Sequence, residues 1–297
     1  MQIISPLAIT DTILTSSNVP ETDAAAYNAG TTYADGDTVI YEHNVYESLV
    51  GSNLGNQPDI SLTDWLLLGA TNRFKAFDQK ISDAVVYADT ITYSLDPGVN
   101  IDSIVFFGLT ATEVNITITD PTDGEVYNET RSTLSNISVV DWYTYFFGAP
   151  TTFEREVVFQ DLPPYSSATI VITITNTGSN AEVGQLVLGS AVSLGLTTYG
   201  SSISIQDYSR KERDAFGNPI IIERAFARLV DFNVQLSTSD VRRVDRELAS
   251  YRTTPIVWIG VPEEEYGLVV YGYYRQFDIL LSNVSISDAT IEVEGLI

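Results

Sequence analysis

The sequence predicts a mainly β protein: a small three-stranded N-terminal module, a central antiparallel β-sandwich, and a C-terminal β-rich domain with one helix. Three observations predict it. Val114, Ile116 and Ile118 alternate with Asn115, Thr117 and Thr119, and Ile170, Ile172 and Ile174 repeat the pattern beside Thr169, Thr173 and Thr175. A period of two places one set of side chains in a core and the other in water. Turn chemistry closes such runs, with Asp96-Pro97-Gly98 after Ile91, Tyr93 and Leu95, and Asp120-Pro121-Thr122-Asp123-Gly124 after Ile118. Helical stretches of ten to fifteen residues do not recur between the strands, which opposes a parallel α/β sheet.

Composition narrows the function classes. The chain has 297 residues, 44% of them hydrophobic, which suits a globular protein of two or three domains, or of one large β domain with appendages. Its formal charge is -24, from 39 acidic against 15 basic side chains. That charge repels nucleic acid backbones and anionic lipid at long range, so neither nucleic acid nor membrane insertion is expected. Ten of the 15 basic residues lie between Arg210 and Arg275, and the first 72 residues contain none. The C-terminal third is therefore expected to pair charges within itself or against an acidic neighbour. Cysteine is absent, so there is no disulfide framework. The opening MQIISPLAIT lacks the basic and apolar regions of a secretion signal, and no apolar run reaches membrane-spanning length.

Taken in order, residues 1–22 read as an extended arm, with Ile3, Ile4, Leu7, Ile9 and Ile13 able to anchor on a neighbouring subunit or on the chain's own domains. Residues 23–69 read as the small module, with Tyr33, Val39, Tyr41, Val45 and Tyr46 on short strands, a hairpin turn at His43-Asn44, and Trp65 capping the core. A linker at 70–84 carries Phe74, Phe77 and Ile81, spaced either for helical turns or as anchors laid across the next domain. The sandwich spans 85–198. Within it, Val139 to Gly148 is dense in aromatics, including Trp142 and Tyr143, and reads as an internal strand, an edge loop or an exposed contact surface. Gly178 and Asn180 read as a turn into Val183 to Leu188. In the C-terminal domain, 199–297, Phe226, Leu229, Phe232, Val234 and Leu236 are expected to point inward. One helix is expected near 239–250, capped by Ser237 or Ser239, with Val241, Val244 and Leu248 as its apolar face.

Three resemblances follow. The run of Tyr27, Tyr33, Gly36, Asp37, Val39, Tyr41 and Tyr46, with Trp65 downstream, resembles the small carbohydrate-binding module of families 5 and 12, found on chitinases and on virion proteins of tailed bacteriophages. That resemblance implies sugar stacking at Tyr27 and Trp65, although the family opens with Trp where Tyr27 stands. The IDSIVFFGL run and the later TIVITIT strand resemble the jelly-roll of galactose-binding-like domains, a fold that carries sugar binders and structural modules alike. Finally, SDVRRVDRELASYR, TPIVWIG, VVYGYYRQFDI and the ending IEVEG look like the C-terminal part of phage tail proteins. It implies a virion, in the tail, and brings no catalytic residues with it.

Catalytic signatures are sparse. The single histidine, His43, lies in a turn, and neither a phosphate-binding nor a nucleophile-elbow motif is present. Paired acids occur at Asp35 and Asp37, Asp120 and Asp123, Glu154 and Glu156, and Glu292 and Glu294, as they do in any chain this acidic. The reading is a non-enzymatic structural protein of a phage tail, needing no cofactor and no metal. Its expected partners are copies of itself and other tail proteins. The alternative is a carbohydrate-binding protein that attaches to a host glycan, and the candidate contacts are Tyr27, Trp65, Trp142 and Tyr143.

Overall fold

A computed structural model describes residues 1–134, 141–147, 153–213, 216–261 and 268–296. The protein is mainly β, with several antiparallel sheets and a short C-terminal helix, as the alternating pattern requires. In the sandwich, a five-stranded sheet runs in the order Gly124–Ser132, Glu113–Asp120, Thr169–Val183, Val85–Leu95, Leu14–Ser17. It faces a three-stranded sheet of Glu156–Phe159, Ser103–Phe107 and Gln185–Gly189. Ile116, Ile172, Ile91 and Tyr93 from the first sheet meet Ile104, Phe106 and Phe159 from the second in one core. Their alternating neighbours Asn115, Thr117, Thr173 and Thr92 line the outer face.

The continuous apolar runs have a separate cause. Ser103–Phe107 and Gln185–Gly189 are buried at every residue, because the three-stranded sheet is covered on both faces. Ile104 and Phe106 face the sandwich core. Val105, Phe107 and Val187 face the other way, onto Ile4, Val257, Ile259, Val269 and Tyr271 of an eight-stranded C-terminal sheet. That sheet repeats the arrangement, since Ile256, Trp258, Phe232 and Ile291 on its far side pack on Val244 and Leu248 of the helix Val241–Ser250. The layers thus run five-stranded sheet, three-stranded sheet, eight-stranded sheet, helix. Sheets buried on both faces lose the polar alternation of a half-exposed strand. Backbone passes close enough at two glycines to exclude a side chain: a Cβ on Gly184 would sit 2.2 Å from the carbonyl oxygen of Ile81 in the linker, and one on Gly272 2.0 Å from that of Glu294 on the paired strand.

The N-terminal arm packs on its own chain and joins two units. Gln2–Ile4 inserts between Ala191–Ser193 and Ile256–Ile259 of the C-terminal sheet, while Leu14–Ser17 pairs with Val85–Leu95 at the edge of the sandwich. The linker resolves in favour of anchors. Only Lys75–Phe77 forms a single 3-10 turn, with Phe74 and Phe77 set into the sandwich core and Ile81 into the contact between sheets.

Several local expectations change. The module has a fourth short strand, Ala25–Ala26, parallel to Thr38–Tyr41, in the order Ala25–Ala26, Thr38–Tyr41, Asn44–Ser48, Trp65–Ala70. Its hairpin turn is Glu42-His43, both with positive φ, one residue earlier than expected, because Tyr41 pairs with Asn44. Gly178 lies in an irregularity within the long strand Thr169–Val183, not in a turn, and its N–H donates to Asp89 Oδ1 at 2.7 Å. Trp142–Phe147 is a short helix rather than a strand or loop, while Val139, Val140 and Gly148 lie outside the described residues. Phe226 is exposed and Leu229 half-buried, and Ala227 and Val230 take the inward places with Phe232, Val234 and Leu236. Neither serine caps the C-terminal helix, since the Ser237 and Ser239 hydroxyls bond each other at 2.8 Å.

Candidate contact surfaces

The small module is built on aromatic packing. Tyr33, Val39, Tyr46 and Trp65 form its core, with Tyr27 and Tyr41 half-buried against them. Trp65 is 1% exposed, and its indole N–H donates to the Asn56 carbonyl at 2.9 Å. The rings of Tyr27 and Tyr33 meet it edge-on at 6.0 and 5.3 Å. A ring enclosed in this way has no face left for a sugar, so the contact role expected of Trp65 is not compatible with its position. Tyr27 is held by stacking on Tyr33 at 5.9 Å and by the edge of Tyr41 at 5.8 Å. Burial, then the neighbouring Tyr33, raises its phenol pKa. Next to it, Gln57 Nε2 donates to Tyr41 Oη at 2.7 Å and to Asp59 Oδ1 at 2.8 Å. What the module offers outward is thus a tyrosine edge beside an amide and a carboxylate.

The second surface is the helix Trp142–Phe147. Trp142 is 79% and Tyr143 71% exposed, and Phe146 and Phe147 are similarly open. Helical spacing of four pairs them: Trp142 lies over Phe146 with ring centres 6.1 Å apart and planes 18° from parallel, and Tyr143 meets Phe147 at 5.2 Å. The chain on either side is tied to the sandwich by the Leu134–Phe153 bridge and by Glu154 N–H donating to the Thr133 carbonyl at 2.7 Å. Close by in sequence, Arg131 lies 4.2 Å from the centre of the Phe159 ring and donates to Glu129 Oε1 at 2.6 Å. One short helix thus leaves four large aromatic rings exposed to water, which is costly for apolar surface.

His43 does more than turn the chain. Its Nε2 meets Asp11 Oδ1 and its Nδ1 meets Glu21 Oε1, each at 2.8 Å, and its ring stacks on Phe74 at 4.0 Å. Glu21 also accepts from Thr71 Oγ1 at 2.6 Å and faces Arg73 at 3.7 Å. The module turn, the arm and the linker therefore converge on one imidazole. Burial lowers its pKa, and the hydrogen bonds and charges of Asp11 and Glu21 together outweigh that, so the net shift is upward. A raised folded pKa contributes stability that is complete below the unfolded value near 6.5 and disappears as pH rises through the folded pKa. Thermal melts from pH 5.5 to 9 are expected to show a fall in Tm across that interval that His43→Gln removes. A wild-type profile parallel to that of His43→Gln overturns the assignment.

In each acid pair at least one carboxylate has a structural partner. Asp37 Oδ2 accepts the Ala34 N–H at 2.7 Å. Asp120 accepts from Ser167 at 2.7 Å and from Thr122 N–H at 2.8 Å, which lowers its pKa. Glu156 pairs with Arg228 at 2.7 Å across the sheet contact, with burial still raising its pKa. Glu294 faces Arg275 at 3.7 Å and accepts from Tyr208 Oη at 3.0 Å. The charge pairing expected of the C-terminal third appears in Arg210–Glu212, Lys211–Asp207 and Arg243–Asp240, while Arg228 reaches outside it. Among the described residues, no three His, Asp or Glu side chains gather as a metal would require, and no helix is long and apolar enough to cross a membrane.

The sequence reads Arg210 to Arg213, a turn at Phe216-Gly217-Asn218-Pro219 and Ile220 to Arg224 as strand, turn and strand, but not as a surface; the hairpin of Arg210–Arg213 and Pro219–Ile222 is exposed at all eight strand positions. Three adjacent isoleucines opposite Arg-Lys-Glu-Arg were the available signal, since such a pair of strands has no polar face and no buried one.

No protein-family model matches the chain, and no curated protein matches it. One solved structure similar to part of it is a mutant of the lectin binding domain of Lectinolysin complexed with Lewis b. It is 9% identical, with a TM-score of 0.29, over 41% of this chain and 83% of that one. Overlap at that level assigns neither a fold nor a ligand.

Proposed function

We propose that the chain is a non-enzymatic recognition protein of a phage tail that contacts a host-surface glycan through exposed aromatic rings. The observation that carries the reading is the helix Trp142–Phe147, which holds Trp142 and Tyr143 open to water. Sugars present flat patches of C–H bonds that stack on such rings, and the polar atoms around them set orientation. The module's Tyr27, Tyr41, Gln57 and Asp59 provide a smaller set of the same kind. The resemblance of residues 24–69 to a carbohydrate-binding module, and of the C-terminal segments to tail proteins, supports both the ligand class and the virion. The test is a glycan array read with wild-type protein and Trp142→Ala/Tyr143→Ala. The variant is expected to keep its Tm within about 2 °C, because exposed side chains contribute little to stability, and to lose binding by tenfold or more. Absence of binding by folded wild type, or unchanged binding by the variant, overturns the reading.

A second reading, a structural tail component that assembles with copies of itself, is favoured by a different observation, the exposed hairpin of Arg210–Arg213 and Pro219–Ile222.

A further inference from the structure

We infer that the hairpin Arg210–Arg213/Pro219–Ile222 docks on the open edge of the small module, strand Trp65–Ala70, of a second copy of the chain. The inference rests on the assembly reading and is independent of glycan binding.

The hairpin extends beyond the C-terminal sheet from its strands Ser202–Asp207 and Phe226–Ser237. Among the described residues its two strands pair only with each other, in the register Arg210 to Ile222, Lys211 to Ile221 and Glu212 to Ile220. Rooted in that sheet through the Asp207–Phe226 pair and the Tyr208 N–H donated to the Ala225 carbonyl, it projects as a ribbon of only two strands exposed on both faces, an arrangement that a partner laid against it would stabilise. One face presents Ile220 and Ile222 beside Arg210 and Glu212, and the other presents Ile221 beside Lys211 and Arg213. On the second face a shallow groove of about 400 Å³ runs to the adjoining strands and is lined by Ile205, Lys211, Ile221 and Phe226. Ile205, Ile221 and Phe226 are all more than half exposed.

Charge admits a second copy as the occupant. Arg210, Lys211, Arg213 and Arg224 balance Asp207, Glu212, Asp214 and Glu223, so the segment 207–226 is neutral in a chain of charge -24. Two copies repel over most of their surfaces, and the hairpin is where that repulsion vanishes. Arg210 and Lys211 pair with Glu212 and Asp207, so this patch brings no net charge to the first 72 residues, which hold nine carboxylates and no lysine or arginine. The apolar complement lies there. Trp65–Ala70 is the last strand of the module sheet, with one edge unpaired. A register irregularity against Asn44–Ser48 turns three consecutive leucines, Leu66, Leu67 and Leu68, toward solvent. An open edge with exposed leucines and an open hairpin with exposed isoleucines pair by strand addition, which also satisfies the free backbone groups. Because the two patches differ, the contact is heterologous and propagates to a ring or a filament.

The test is mass by sedimentation and light scattering for wild type, Ile221→Asp, Leu67→Asp and an equimolar mixture of the two variants. Both sites are exposed, so each variant is expected to melt as wild type does. Wild type is expected to associate with rising concentration and each variant to be monomeric. The mixture is expected to form dimers, since one variant keeps an intact hairpin and the other an intact module edge. A monomeric wild type at hundreds of micromolar sinks both the inference and the assembly reading. An associating wild type with either variant unaffected, or a mixture that stays monomeric, sinks the hairpin-to-module contact alone.

Discussion

Deletion of residues 1–19 is expected to abolish the cooperative native state, not merely to weaken assembly. Ile3, Ile4, Leu14 and Val19 are each at most 8% exposed and enter three separate apolar clusters. At roughly 1.5–3 kcal/mol for each buried aliphatic side chain, the four contribute on the order of 6–12 kcal/mol. That is comparable with the whole stability of an ordinary domain, about 5–15 kcal/mol. The backbone loss adds to it, because Gln2–Ile4 is an interior strand and its removal separates Ala191–Ser193 from Ile256–Ile259. Far-UV circular dichroism during a thermal ramp is the measurement. A sharp transition within a few degrees of the full-length protein contradicts the expectation.

Trp65→Ala is expected to cost about 3–5 kcal/mol, the range for truncating a large buried aromatic. The module's core consists of Tyr33, Val39, Tyr46 and Trp65, so the loss removes its largest side chain and leaves Asn56 without the indole donor. A unit of this size without disulfides has little stability to spare. Hydrogen exchange is expected to show residues 24–70 opening while strands such as Val85–Leu95 remain protected. A variant within 1 kcal/mol of wild type, with the module still protected, shows the assignment to be wrong. The same position makes Trp65 unsuitable as a glycan-binding control, since lost binding there reports unfolding. Trp142 and Tyr143 are the residues whose removal separates contact from stability.

The sandwich strands were legible because each has one wet face. Val114, Ile116 and Ile118 against Asn115, Thr117 and Thr119 encode both strand and orientation, and the structure buries the first set and lines the outer face with the second. Val105-Phe106-Phe107 encoded a strand without its faces, because both are covered by other sheets. Asp120 to Gly124 was readable as a turn since the Asp120 side chain bonds backbone two and three residues on. The turn at Glu42-His43 falls one residue before the His43-Asn44 that residue type suggests, as strand pairing sets the register there. Of the contact residues, Trp65 and Trp142 look alike in sequence. One became the centre of a core and the other a surface ring.

By itself the sequence determined the mainly β class, the alternating faces, the turn at Asp120 to Gly124 and the strong negative charge, all of which depend on neighbours a few positions apart. Only the tertiary structure decided which aromatics face water, that His43 joins three segments, and that the arm completes the C-terminal sheet. Those outcomes depend on surfaces brought together from distant parts of the chain, such as Gln2–Ile4 beside Ile256–Ile259, and burial is a property of that meeting, not of the residue.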